Sequence, residues 1–376
     1  MTKKKKKYGI RKFINDIHLW LGIGSGIILF LVCLSGTFLT FEHEIKDIFT
    51  EKMVVTPSGE AKSVSELTAL INESVEGELT RVTLPAEANQ PYEFTVKTNP
   101  KDRRGSAFYV NPYTAEILKA PKSSADGFMM FMFRMHRWIM LEVPVGRPIV
   151  GIATIIFLIL SVSGIVLWFP KKVKWKNMKS GFKIKTNANW KRVNHDLHNT
   201  LGFYACIFIV IMGLTGLCWS FEGYRDGLSA VIGTKVFGNR GGGPAIEVKA
   251  QDSKTITLEE AVAITNKEFD FEGDTRVSFP SKKNKFYSIS KYNKSSFSPV
   301  TADALTLDIY GNVLKKEYFN DKPLNVRIAS LIKPIHTGQI FGLFSQILYF
   351  LACLIATSLP ITGTLIWLNK MKKKKK

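Results

Sequence analysis

The sequence predicts an α-helical membrane protein: a four-transmembrane-helix bundle built from two repeated units, with two extracytoplasmic α+β modules. Three observations predict it. Four stretches, 17–41, 148–170, 199–221 and 340–369, contain no Asp, Glu, Lys or Arg. Each exceeds the roughly 20 residues that a helix needs to cross a bilayer. Basic residues collect in alternate connecting segments, and parts of the chain recur at a fixed offset. Across 376 residues, 45% are hydrophobic and 22% charged, a mixture that a single soluble globule does not segregate so sharply. This patterning excludes an ordinary soluble protein, a disordered chain and a secreted disulfide scaffold.

Charge sets the expected topology. Net charge by segment is +6 for the tail before the first span, −2 for 42–147, +8 for 171–198, +3 for 222–339 and +6 for the C-terminal 370–376. Lys and Arg accumulate on the cytoplasmic side of spanning helices. The 1–16 tail, the 171–198 loop and the 370–376 tail are therefore expected inside, and 42–147 and 222–339 outside. The formal charge of +21 is explained by lysines beside apolar spans, which bind membrane lipid, and nucleic acid is not expected. The Lys3–Lys7 run resembles the start of a signal peptide. The apolar stretch after it is too long for one and ends in SGTFLTFEHE, so an uncleaved first span is expected. Cys33, Cys206, Cys218 and Cys353 lie inside the spans with no CxxC, and read as small hydrophobes.

The repeat organises the spans. NDIHLWLG (15–22) aligns with HDLHNTLG (195–202) at an offset of 180, matching Asp16, His18, Leu21 and Gly22 to Asp196, His198, Leu201 and Gly202. The same offset places Ser35-Gly36 on Thr215-Gly216 and Phe41-Glu42 on Phe221-Glu222. His136 and His336 precede spans two and four, 200 residues apart, and Ser163-Gly164 and Trp168 match Thr362-Gly363 and Trp367 at an offset of 199. Duplication of this kind places sites between the copies. Outside the spans, 63–75 and 257–269 have helical spacing. YEFTVK, AFYVNPYTAEIL, TRVSFP, KFYSISKY, ALTLDIY and NVLKKEY read as strands, and GNRGGGP (238–244) as a flexible loop or linker.

Histidine placement carries the chemistry. His18 and His198 are expected at the inner ends of spans one and three, and His136 and His336 at the outer ends of spans two and four. Two histidines from different helices at one depth can supply both axial nitrogens to a haem iron. The competing reading is interfacial or capping side chains. A zinc site would want three or four ligands, which the pairs do not supply unaided. Gly22 and Gly202, four residues after the inner histidines, either open space for a flat macrocycle or permit close helix packing. Arg134 and Arg137 flank His136, and Lys191 and Arg192 precede His198. These cations suit haem propionates, and the outer arginines equally suit an anionic substrate or lipid headgroups. His43 and His195 lack a repeat partner and rank below the four. Trp20, Trp168, Trp219 and Trp367 fit an aromatic belt.

IHLWLGIGSG (17–26), FRMHRW (133–138), NPYTAEIL in the first outside loop, HDLHNTLG (195–202) and KPIHTGQIFG (333–342) together resemble the PepSY-associated transmembrane family, including iron-regulated membrane proteins and ferric-siderophore reductases. The resemblance spans about 10–370. It implies four spans with extracytoplasmic PepSY-like modules in a bacterial inner membrane, both termini cytoplasmic. It further implies two b-type haems, with His18 and His198 as ligands to the inner iron and His136 and His336 to the outer. The implied activity is that of an oxidoreductase. Electrons from a separate cytoplasmic donor would reduce a ferric siderophore or other ferric chelate and release iron. Span four departs from the pattern, with IHTG where span two has MHRW. The alternative is a PepSY-type binding or regulatory protein acting on peptidases or the cell envelope without redox chemistry. A transporter ranks last, because no charged residue lies mid-span.

Overall fold

The computed structural model describes residues 9–99, 105–238, 254–281 and 284–374. The Lys3–Lys7 run and 239–244 of the glycine-rich segment lie outside the described residues. In chain order the helices are α1 (Ile10–Thr40), α2 (Glu42–Ile48), α3 (Val64–Ser74), α4 (Asp126–Trp138), α5 (Val143–Trp168), α6 (Trp175–Met178), α7 (Trp190–Asp196), α8 (Gly202–Ser220), α9 (Glu222–Ile232), α10 (Leu258–Glu268), α11 (Leu324–Thr337) and α12 (Leu343–Lys374). The strands are β1 (Glu78–Leu84), β2 (Tyr92–Lys97), β3 (Ser106–Val110), β4 (Ile117–Leu118), β5 (Gly273–Ser278), β6 (Phe286–Asn293), β7 (Asp303–Asp308) and β8 (Val313–Glu317). The chain forms two units. One comprises 1–46, 125–236 and 329–376; the other comprises 47–124 and 237–328.

The first unit is a helical bundle. Among the described residues four helices are long and apolar enough to cross a membrane: α1, α5, the run Trp190–Ser220, and α12. They close a ring in which α1 packs on α5 and α12, and α8 on α5 and α12. Leu29, Ala153 and Leu160 form one core cluster, and Cys33, Ala205, Ile209, Ala352 and Ala356 another. Large side chains such as Ile27, Ile152, Val162, Ile207 and Leu351 point outward, as lipid-facing positions do.

The helices overrun the uncharged stretches. α1 starts at Ile10, so Arg11, Lys12 and Asp16 are helical. Arg11 Nη2 donates to the carbonyls of Leu167 at 2.6 Å and Phe169 at 2.7 Å, satisfying the open C-terminal end of α5. The third span begins at Trp190 rather than 199. Asn189 caps it, its side-chain oxygen accepting from Arg192 N–H at 3.0 Å. The 171–198 loop therefore ends in helix.

The segments expected outside are also shorter in the second unit than their sequence boundaries. Residues 125–147, 222–236 and 329–339 belong to the bundle unit. Their helices α4, α9 and part of α11 carry enough polar residues to interrupt an apolar run. α4 nevertheless packs on α1 and α5. His136 and His336 thus stand on separate helices and not on the spans. α4 is cut from α5 by two left-handed residues, Ile139 (φ 46°) and Met140 (φ 63°). α11 is cut from α12 by Gly338 (φ 79°) and a short 3-10 turn, Gln339–Phe341. Trp168 is buried at 7% exposure, stacked on Phe203 with centroids 4.0 Å apart, and so is not a belt residue.

In the second unit the two expected modules share one sheet. Its order is β4-β3-β2-β1-β5-β6-β7-β8, antiparallel throughout. The halves join at β1–β5, where Val82 pairs Val277 and Leu84 pairs Thr275. The apolar face packs under α3 and α10 in a single core that includes Leu67, Ile71, Val82, Phe94, Ala261, Val277, Ile289 and Leu305. β1 is absent from the sequence prediction because its register slips between Leu79 and Arg81, which breaks the two-residue alternation. α3 is capped by Ser63, and α10 by a Thr257–Glu260 capping box.

Glu259 of α10 links the halves: its carboxylate accepts from Ser65 N–H and Ser65 Oγ–H at the start of α3. Burial alone would raise this carboxyl, but the Ser65 donors outweigh it and hold the group below its ordinary value. Glu259→Ala should cost about 1 kcal/mol at pH 7, allowing for partial exposure. It should also speed hydrogen exchange in 64–74 of the full-length protein. A depressed folded value means that the contribution is present above the unfolded carboxyl's range and is lost as pH falls through the folded value. The gap between wild type and variant should therefore close in acid. In the bundle, a Cβ on Gly146 would lie 2.2 Å from the Trp138 carbonyl, whereas one on Gly127 meets nothing within 4 Å. Gly146→Ala should lower the melting temperature in detergent, by about 1–3 kcal/mol of overpacking, and Gly127→Ala should be tolerated.

Candidate functional site

Each long helix of the bundle carries a hydroxyl–glycine pair against a histidine: Ser35-Gly36 on α1, Ser163-Gly164 on α5, Thr215-Gly216 on α8 and Thr362-Gly363 on α12; α1 has a second pair, Ser25-Gly26, with no histidine on it. A histidine edge rests on each of the other four glycines. An added Cβ would meet His136 Cε1 at 3.1 Å from Gly36, His18 Cε1 at 3.4 Å from Gly164, His336 Cε1 at 3.1 Å from Gly216 and His198 Cε1 at 3.1 Å from Gly363. A side chain larger than hydrogen at Gly36, Gly216 or Gly363 would press on the ring, whereas at Gly164 the contact is only just at van der Waals distance.

The hydroxyls fold back onto their own helices. Ser163 Oγ–H donates to the Ile159 carbonyl at 2.7 Å, Thr362 Oγ1–H to Ser358 at 3.0 Å, Thr215 Oγ1–H to Ile211 at 2.7 Å and Ser35 Oγ–H to Leu31 at 2.7 Å. Their single protons are thus used, and the oxygens of Ser163, Thr362 and Thr215 face histidines as acceptors. His18 Nδ1–H donates to Ser163 Oγ at 2.9 Å, and His198 Nδ1–H to Thr362 Oγ1 at 2.9 Å. His136 Nδ1–H donates to the Val32 carbonyl at 2.9 Å. His336 Nδ1–H is shared between the Met212 carbonyl and Thr215 Oγ1, each at 3.0 Å. All four Nδ1 atoms are spent on donation, leaving each Nε2 with a lone pair for a ligand.

The rings meet in two pairs. His18 and His198 have centroids 6.3 Å apart at an interplanar angle of 89°; His136 and His336 are 6.2 Å apart at 59°. An imidazole nitrogen binds a metal at about 2.0–2.1 Å, so two rings sharing one atom through Nε2 stand with centroids about 6 Å apart. His18 and the clamp Gly36 are 18 residues apart on α1, as are His198 and Gly216. In the unbroken α1, eighteen residues are five helical turns and about 27 Å of rise, which puts His18 and Gly36 on one face at opposite ends. His198 sits in a π-helical turn, Leu197–Leu201, between α7 and α8; such turns recur at functional sites.

The remaining expected site residues are placed differently from one another. Gly22 faces Leu160 Cδ2 at 3.8 Å, and Gly202 faces Leu359 Cδ2 at 3.5 Å, so both sit where neighbouring helices approach. Arg137 stacks over Phe133 and Trp138, 5.5 Å from each centroid, and its charge acts on both His136 and His336. Arg134 is exposed on α4. Arg192 is held by the buried carboxylate of Asp196 at 2.8 Å. His195 and His43 are exposed. Among the described residues no group of three or more His, Cys, Asp or Glu could hold a metal ion.

Two residues escaped sequence reading. Trp219 lies against His336, with centroids 5.2 Å apart. Asn194, 1% exposed, donates from Nδ2 to the Thr362 carbonyl at 3.0 Å one turn before His198. Neither has a distinguishing motif: Trp219 reads as belt, and Asn194 matches Ile14 in the repeat.

Compared with known families, residues 16–370 match the PepSY-associated TM region. The chain belongs to this family. The match spans both units, so the paired histidines and the eight-stranded sheet are parts of one PepSY-associated membrane protein. The comparison with curated proteins returns no match.

The donor arithmetic places a proton on Nδ1 of all four imidazoles of this PepSY-associated protein, which makes Nδ1–H the tautomer of each neutral ring. Nitrogen-15 spectra of the ring-labelled, metal-free protein near pH 7 should show four Nδ1–H tautomers among the six histidines. An Nε2–H tautomer at any of the four would contradict the hydrogen-bond assignment.

Proposed function

We propose that the protein is a bacterial inner-membrane oxidoreductase that holds two b-type haems and passes electrons from a cytoplasmic donor to a ferric siderophore or similar ferric chelate outside. The observation that carries this reading is the geometry of the two histidine pairs. Each pair brings two half-buried rings from different helices to about 6 Å, with Nε2 free on both. Two nitrogens suit an iron whose other positions belong to a macrocycle, and fall short of a tetrahedral zinc site. The residues fit such a group: His18 and His198 would hold one, and His136 and His336 the other. Bound haem supplies one-electron transfer at each level of the membrane.

The chain's own groups have separate tasks. The hydroxyl–glycine pairs orient the rings, and the apolar bundle excludes water between the levels. Arg134 and Arg137 supply positive charge beside His136, suited to haem propionates or to an anionic chelate. The basic 171–198 segment and both tails point to cytoplasmic termini and to a donor with an acidic surface. The matching positions of the four histidine clamps support descent from two repeated units, each contributing one half of the extracytoplasmic PepSY-like sheet.

His336→Ala should lose one haem per chain in a pyridine haemochrome count and lose ferric-chelate reduction, while His18→Ala should lose the other haem. Full reductase activity in His336→Ala would overturn the assignment. A well-folded wild type that takes up no haem when haem is supplied would favour a non-redox PepSY-type binding or regulatory role on peptidases or the cell envelope.

A further inference from the structure

We infer that the open face of the eight-stranded sheet is a binding surface for an anionic, polycarboxylate ferric chelate, with Arg81 of β1 and Arg276 of β5 as its two anchors. This inference rests on the ferric-chelate half of the reading above, not on haem, and names the substrate class.

Residues paired across strands stand on one face of a sheet. Helices α3 and α10 cover the face that carries Val82, Phe94, Val277, Ile289 and Leu305. The register puts Arg81 and Arg276 on the opposite face. Arg81 lies between Thr95 of β2 and Ser278 of β5, and Arg276 between Thr83 of β1 and Ser290 of β6. Each guanidinium thus rises between short hydroxyl side chains. The two arginines stand at the β1–β5 join, Arg81 pairing Ser278 and Arg276 pairing Thr83. They are therefore diagonal neighbours, about 7–8 Å apart at their bases.

Neither arginine has an anionic partner. The ion pairs of this unit all use lysine, and among the described residues neither arginine joins one. Arg276 is held from the side: Nη1–H donates to the Tyr292 hydroxyl at 3.0 Å, and the guanidinium lies 5.2 Å from that ring's centroid. Its buried Nε–H finds no acceptor among the described residues. The nearest carboxylates on this face are Glu93, which follows Thr83 along the row, and Asp274, whose Oδ1 accepts from Ala86 N–H at 2.9 Å.

A guanidinium forks onto a carboxylate through two parallel N–H bonds. Two separate forks suit two carboxylates of one ligand better than a single compact anion. The hydroxyls between them can donate or accept, which matches the mixed oxygens of a hydroxycarboxylate chelate. Arg276, already steadied by Tyr292, loses little freedom on binding. A neutral chelate gains nothing from two guanidiniums that lack counter-ions.

The test is equilibrium dialysis of the full-length protein in detergent against radiolabelled ferric citrate and, separately, a neutral ferric trihydroxamate. Wild type should bind the citrate chelate more tightly. Arg81→Gln and Arg276→Gln should each weaken citrate binding by about tenfold, the loss of one charge-assisted contact, and leave the trihydroxamate unaffected. Arg276→Lys, which keeps the charge and loses the fork, should fall between. Lys62→Gln, which removes one positive charge near the start of α3, should match wild type. Arg81 is exposed, so its replacement keeps the sheet, and unchanged hydrogen exchange over 78–84 and 273–278 would verify this. Equal citrate affinity in wild type and both Gln variants overturns the inference, as does displacement by inorganic phosphate as readily as by iron-free citrate. The His336→Ala assay would then judge chelate reduction alone. Citrate binding that needs both arginines, in a protein that takes up no haem, would keep this surface and remove the redox reading.

Discussion

A polar ring inside an apolar bundle must have its hydrogen-bonding nitrogens satisfied by the protein, because lipid offers no partner. This constraint organises the helical unit. Each histidine needs an acceptor for Nδ1–H and enough space to reach it; the turn of the neighbouring helix that carries the Ser- or Thr-Gly pair supplies both, through the hydroxyl oxygen for His18 and His198, a main-chain carbonyl for His136 and both for His336. The hydroxyl, its proton committed to the preceding turn, presents an oxygen. The glycine lets the ring edge approach to where a Cβ would stand at 3.1–3.4 Å. Helix spacing, ring orientation and the free Nε2 all follow from that contact.

The arrangement also explains why the histidines come from different kinds of element. His18 and His198 project from long helices onto clamps near the ends of α5 and α12. His136 and His336 project from the separate helices α4 and α11 onto clamps near the ends of α1 and α8. Breaks after each of these shorter helices, left-handed Ile139 and Met140 in one case and Gly338 in the other, free them from the direction of the following span. A histidine on the span itself would face wherever the helical period placed it. The five-turn spacing from His18 to Gly36 lets one face of α1 serve both levels.

The second unit solves a different problem. Four strands from each half of the chain would leave two small sheets, each with exposed edges. Pairing β1 with β5 removes one edge from each and merges two small cores into one, with Glu259 tying α10 to α3. Helix caps at Ser63 and Thr257 are local and were visible as residue patterns. The strand that makes the central join was not, because its bulge hides the alternation on which strand recognition depends.

Uncharged length by itself determined that four helices can cross a membrane, and the repeat offsets by themselves marked His18 and His198, Ser35-Gly36 and Thr215-Gly216 (180 residues), and Ser163-Gly164 and Thr362-Gly363 (199 residues), as equivalent positions. Periodicity also located most strands and both helices of the sheet unit. Only tertiary structure decided which histidine faces which and what holds it, because those contacts join residues 104 to 164 apart. No local pattern records a helix crossing. It likewise decided that charged residues such as Arg11 and Arg192 extend the spans as helix, since capping and ion pairing satisfy them only once the neighbouring helix or carboxylate is in place. The sequence carries the chemistry of each partner; the fold, through close helix approach at glycine, selects the partners.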